Sequence, residues 1–196
     1  MTRTWLLTWT TYGTWLPGDE RGFVSNVAEG DGPEVKHNVS GTPYDARQRG
    51  LALAARTQMK GEPVWLSAAQ AAPLAAQFRE TAAFRGWTLH ALAIMVNHVH
   101  LVATVPGDPE PETLLCDFKS YGSRRLNREF GSPAGGTWWT VSGSRRKLPD
   151  ECARIAAVRY VRNQSRPLVV WIAEGEPGAS ASGFEDTESA SSKSGG

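Results

Sequence analysis

Two short stretches of the 196-residue chain carry side chains that could do chemistry together. His98 and His100 flank Val99 within an apolar run, and a strand there would turn both imidazoles to one face while Val99 points into a core. Two neighbouring imidazoles can share one divalent metal ion. Sixty residues on, Tyr160 and Gln164 stand four apart in Tyr160-Val161-Arg162-Asn163-Gln164, which would stack a phenol and an amide on one helix face. Metal ligands beside a hydroxyl nucleophile are the parts of a phosphoryl-transfer site with an attacking tyrosine. Each motif alone is a weak signal, because helical tyrosines usually sit at the edge of a core.

The elements that must position these residues follow from pattern and punctuation. Residues 4–12 are aromatic and β-branched and predict a first strand. Residues 13–64 are rich in Gly, Pro and Asn, with one short helix near 44–58, and are long for a connection inside a domain. Ser67 predicts a helix cap, Gly86 a helix end, and Pro73 a shift of the helix start. Residues 87–95 and 98–105 predict an antiparallel strand pair around Val96-Asn97. A second helix over Thr113–Phe130 carries Leu114, Leu115, Phe118, Tyr121, Leu126 and Phe130 as its stripe.

A short strand is expected at Thr137–Val141, and a third helix from Pro149 or Asp150 to before Pro167, bearing Tyr160. Residues 167–172 add a last strand or pack on the core. The order predicts an α+β fold, a ferredoxin-like (RRM-like) plait with helices on one face of an antiparallel sheet. The expected organisation is one catalytic domain over 1–173, with 13–64 as a long loop, and a disordered Gly/Ser/acidic tail over 174–196.

The net charge of +1 hides a split: 174–196 carries −4, leaving +5 on 1–173. Over 113–173, eleven basic residues face four acids, and that half could attract a phosphate backbone. Lys119, Arg124, Arg125, Arg145, Arg146 and Arg162 are the candidate DNA contacts. Eight tryptophans could in part stack on unpaired bases, with most expected in the core or at a dimer surface. The apolar runs are too short for a transmembrane helix, and the N-terminus lacks a signal-peptide pattern. Cys116 and Cys152 have no metal-site spacing, which points to packing residues in a reducing cytoplasm.

Met95-Val96-Asn97-His98-Val99-His100-Leu101-Val102 resembles the histidine–hydrophobe–histidine motif of single-tyrosine HUH transposases. Tyr160–Gln164 resembles their tyrosine helix, Phe118–Leu126 the intervening helix and Trp138-Trp139 the strand after it. The opening strand fits the REP-associated (RAYT) branch of this insertion-sequence-200-like family. The resemblance covers roughly 4–12 and 62–166.

It implies cleavage and rejoining of single-stranded DNA beside a hairpin, with His98, His100 and Gln164 holding Mg²⁺ or Mn²⁺. Tyr160 would attack to form a 5′-phosphotyrosine. It also implies a homodimer, in which the tyrosine helix can serve the partner's histidines. Tyr121, among Lys119, Arg124 and Arg125, is a rival nucleophile read more simply as a core-facing aromatic. His90 could approach the site but is better read as packed or exposed, and His37 is unassigned. Residues 13–22 could contact DNA or form a surface loop. Two other classes stay open: a noncatalytic nucleic-acid-binding plait, and a metallohydrolase in which water replaces Tyr160.

Overall fold

The computed structural model describes residues 1–21 and 47–177. His37 and most of the expected tail lie outside the described residues. Among the described residues nine elements follow in chain order: β1 (Thr2–Thr10), α1 (Arg49–Thr57), α2 (Ala68–Arg85), β2 (Thr88–Ile94), β3 (His98–Pro106), α3 (Pro111–Phe130), β4 (Ser144–Leu148), α4 (Glu151–Arg162) and β5 (Val169–Ile172). The strands form one antiparallel sheet in the order β4-β1-β3-β2-β5. The first four give the ferredoxin-like plait that the sequence predicts, and β5 widens it on the β2 edge.

The centre strand β3 is buried on both sides, and its alternation divides the molecule into two layers. Val99, Leu101, Ala103 and Val105 join Trp5, Leu7 and Trp9 of β1 beneath α2 and α3. Phe78 of α2 and Phe118 of α3 meet edge-on in this layer, with ring centroids 5.7 Å apart. Helix α2 starts where expected: Ser67 and Gln70 form a reciprocal capping box, and Gly86 closes the helix in the left-handed conformation. Pro73 lies inside the helix and does not displace its start.

The other layer corrects the expectation that all helices share one face. Helix α4 packs Ala157, Val158 and Val161 against Ala91, Ala93, Met95 and Val102, on the face opposite α2 and α3. Small residues on β2 and a short apolar stripe on α4 let the helix lie close to the sheet.

The strand expected at Thr137–Val141 is corrected too. That segment makes only an isolated bridge, Thr11 to Trp139, and the strand is Ser144–Leu148. Trp138 and Trp139 are buried as anchors. Gly143 then passes so close to β1 that a Cβ would stand 2.8 Å from the Thr8 carbonyl oxygen. Only beyond it does the chain pair with β1, as a charged edge strand.

Between β1 and α2, Gly18 (φ +84°) lies against the start of α1, where a Cβ would meet the Ala52 nitrogen at 2.6 Å. Part of 13–64 is therefore built structure rather than open loop. Cys116 and Cys152 are free, exposed thiols on helices, not packing residues. No described helix is long and apolar enough to cross a membrane.

Ala93 is fully buried beneath α4. Ala93→Leu should cost about 1–3 kcal/mol by overpacking, read as a lower urea midpoint with an unchanged slope. No loss would mean that α4 is not seated on this face.

Candidate functional site

The pleat of β3 turns His98 and His100 to the α4 side, with ring centroids 4.7 Å apart and planes at 83°. Each ring is held from behind. His100 Nδ1 lies 2.8 Å from Thr8 Oγ1 on the paired strand β1, and His98 Nδ1 lies 2.7 Å from Asn97 Oδ1. With Nδ1–H donated to the Asn97 oxygen, His98 is left with a free Nε2 lone pair, the form that binds a metal. The Thr8 contact orients His100 in the same way when Nδ1 is its donor.

Helix α4 brings the phenol. Asp150 caps the helix by accepting from the Ala153 amide at 2.8 Å. Tyr160 lies in the last turn, half-exposed, with its ring centroid 5.1 Å from that of His100. The helix ends at Arg162, so Gln164 sits just past it rather than one turn along it. Its side chain nevertheless folds back: Nε2 donates to the Tyr160 carbonyl at 3.0 Å, and Gln164 also hydrogen-bonds His100.

Burial is the main force on both imidazoles. It pushes the His100 pKa down to about 4, with His98 adding repulsion and the Gln164 hydrogen bond opposing the fall. Burial also lowers that of His98, followed by the charge of Arg21. Both rings are thereby kept neutral near neutral pH, as ligation requires. Among the described residues no three His, Cys, Asp or Glu side chains cluster as a metal site. The pair with an amide oxygen is a mixed nitrogen–oxygen donor set that suits Mn²⁺ and, less well, Mg²⁺.

The other candidates separate. Tyr121 projects from α3, on the opposite side of the sheet from the histidines, with the guanidinium of Arg124 5.0 Å and that of Arg85 6.0 Å from its ring centre. Lys119 is corrected as a DNA contact. It is buried, and its Nζ donates to the carbonyls of Thr140, Val141 and Ser142, which uses all three protons.

Arg125 pairs with Glu129, and Arg145 with Glu112 on the α3 side. Arg124 is exposed on α3, away from the histidines. Arg146, opposite Leu6 in the register, faces the α4 side, and Arg162 is exposed on α4 itself. His90 is buried in a cluster of its own with Thr104 and Glu176. Trp5, Trp9, Trp138 and Trp139 are core, whereas Trp65 is 57% exposed.

Sequence reasoning missed Arg21. Its Nη2 donates to the Thr14 carbonyl at 2.7 Å, and Thr14 Oγ1 donates to the Asn97 carbonyl at 3.3 Å, next to His98. The guanidinium also lies 5.7 Å from the Trp15 ring centre. The only signal was the Gly- and Pro-punctuated segment 13–22, which says nothing about where it folds.

The sequence model of a family described as "Transposase IS200 like" matches residues 60–164, more than half of the chain, and takes in His98, His100, Tyr160 and Gln164. The chain belongs to the IS200-like transposase family. Among solved structures, this chain is similar to a REP-associated tyrosine transposase bound to a REP hairpin, at 12% identity and a TM-score of 0.41. The match covers 81% of this chain and 64% of that one. It is also similar to a protein of Deinococcus radiodurans assigned as a transposase, at 18% identity and a TM-score of 0.44, covering 84% and 92%. Comparison with curated proteins gives no significant match.

The depressed His100 pKa sets a sign. Between about 4 and the ordinary 6.5, the unfolded chain binds the extra proton, so this residue takes away stability as pH falls through that window and none above it. An NMR titration of the metal-free protein should show the His100 ring neutral until pH nears 4. Titration near 6.5 would place that ring in water instead.

Proposed function

We propose that this transposase cleaves and rejoins single-stranded DNA near hairpins in a metal-dependent reaction, through a 5′-phosphotyrosine on Tyr160. The observation that carries the reading is the meeting of two separate sequence motifs at one point: the Tyr160 ring stacks edge-on to His100, which is paired with His98. His98, His100 and the Gln164 amide oxygen would hold Mg²⁺ or Mn²⁺. When bound, the ion polarises the scissile phosphate and offsets the charge that builds in the transition state.

The protein's own groups do the rest. Tyr160 Oη attacks phosphorus, the bond from phosphorus to the 3′ oxygen breaks, and the phenol proton is lost as the 3′-OH is freed. A phenol with an ordinary pKa near ~10 is a poor nucleophile while protonated, so its proton must leave during attack. The phosphotyrosine keeps the energy of the phosphodiester, and attack by a 3′-OH reverses the step without ATP. Thr8 and Asn97 orient the imidazoles, and Arg146 and Arg162 are the candidates of the original six best placed for the strand's phosphates. The resemblance supplies the hairpin substrate and a homodimeric assembly to this reading.

Incubation with labelled hairpin DNA and Mn²⁺ should give a covalent adduct, mapped by mass spectrometry to Tyr160. Tyr160→Phe should abolish it, and Tyr121→Phe should leave it. Cleavage without an adduct would replace Tyr160 by water, and binding without cleavage would leave only a DNA-binding plait. Thr8→Val removes the hydrogen bond behind His100 and should weaken Mn²⁺ binding about 10- to 100-fold by calorimetry. Unchanged affinity would remove His100 from the ligand set.

A further inference from the structure

At the far end of the same sheet face a second cluster of buried polar groups stands apart from the histidine pair. A bulge between Leu89 and Ala91 breaks the alternation of β2 and turns His90 toward the α4 side. His90 Nε2 lies 2.7 Å from Thr104 Oγ1, which in turn lies 2.7 Å from Thr4 Oγ1. His90 Nδ1 lies 2.8 Å from Glu176 Oε1. The same carboxylate oxygen accepts from Arg154 Nη1, whose guanidinium also pairs with Glu151.

The side chains of His90, Glu176 and Arg154 are only 11%, 10% and 16% exposed, so the cluster is largely shielded from water. Breaking a shielded pair leaves an uncompensated charge, which makes such a contact hold tightly. The cluster also corrects the expected boundary of the tail, because Glu176 lies beyond residue 173 and is part of the fold.

Arg154 is in α4, six residues before Tyr160. Glu176 follows β5, where the Ala173 amide donates to the His90 carbonyl at 2.9 Å. The tyrosine helix is thus tethered on both sides. Two residues separate it from β4, which pairs with β1, and six separate it from β5, which pairs with β2. Six extended residues span at most about 20 Å, so α4 cannot swing to another sheet while β5 and Glu176 stay docked.

We propose that Glu176 is a positioning residue: through Arg154 and His90 it latches the tyrosine helix to its own sheet, so that Tyr160 serves His98 and His100 of the same chain. This rests on the phosphotyrosine reading for its consequence, but not for its geometry.

The test begins without DNA or metal. Fluorotyrosine is incorporated into the full chain, and the position-160 ¹⁹F resonance is assigned by its loss in Tyr160→Phe. Contact with the His100 ring should displace it from the exposed-tyrosine value. Glu176→Gln and Arg154→Ala should each move it toward that value, and the double variant no further than the larger single change. A resonance unmoved in both single variants overturns the latch, and so does a double-variant shift equal to the sum.

In the cleavage assay, misplacing the phenol should lower kcat by up to the order of 10²-fold with KM for the oligonucleotide little changed. General destabilisation would show instead as a shared loss of Tm. Mixing Tyr160→Phe with His100→Ala chains should give no adduct, and a restored adduct would show the tyrosine working across subunits. Should the unaltered protein form no adduct while the ¹⁹F shifts appear as expected, the function reading fails and the latch stands.

Discussion

The pleat of β3 is the constraint on which the rest of this molecule depends. A central strand covered on both sides must supply an apolar residue at every second position to the main core, and Val99, Leu101, Ala103 and Val105 do so, all fully buried. The positions between them are then forced to the other face. His98 and His100 occupy two of those positions and Val102 the next, so the boundary between the polar site and the second core falls within one strand. A one-residue slip would bury two imidazoles among Trp9, Phe78 and Phe118 and turn the aliphatics onto the α4 face, which pins the register firmly.

The second face is closed by α4, and its closure gives the imidazoles their chemistry. An open sheet face would leave both rings in water. Under α4 they lose solvent, stay neutral, and gain a phenol against one of them. Side chains behind the rings fix their orientation, since Thr8 comes from the neighbouring strand in register with His100, and Asn97 comes from the turn just before His98. The backbone of that turn is also tied to the segment after β1, where Thr11 and Thr14 both donate to the Asn97 carbonyl. Position, protonation state and access at the site are therefore consequences of one layered architecture.

What was legible in the sequence was local. Alternation at 98–105, the cap at Ser67 and the stop at Gly86 are set by neighbours within a few residues, and the structure keeps them; the helix that bears Tyr160 is kept only as far as Arg162, with Gln164 past its end. What was not legible depends on distant partners. Trp138-Trp139 has strand composition, yet it is claimed by the core, and the edge strand falls on Ser144–Leu148, whose charges resemble a loop. Lys119 counts as a surface cation until three carbonyls of a passing segment enclose it. The side of the sheet that α4 takes is fixed by small residues on β2, which no pattern within α4 reveals. Glu176 sits in an acidic, glycine-rich stretch whose composition predicts disorder, and only its pairing with Arg154 and His90 brings it into the fold.

The most direct measurement is a crystal structure of Tyr160→Phe with Mn²⁺ and an uncleaved single-stranded DNA hairpin, with data collected at the manganese edge. The account predicts one anomalous peak bound by His98, His100 and the Gln164 oxygen, with a backbone phosphate beside it facing the ring at position 160. A manganese ion bound elsewhere, or a phosphate path that runs along the α3 side near Tyr121, would contradict it.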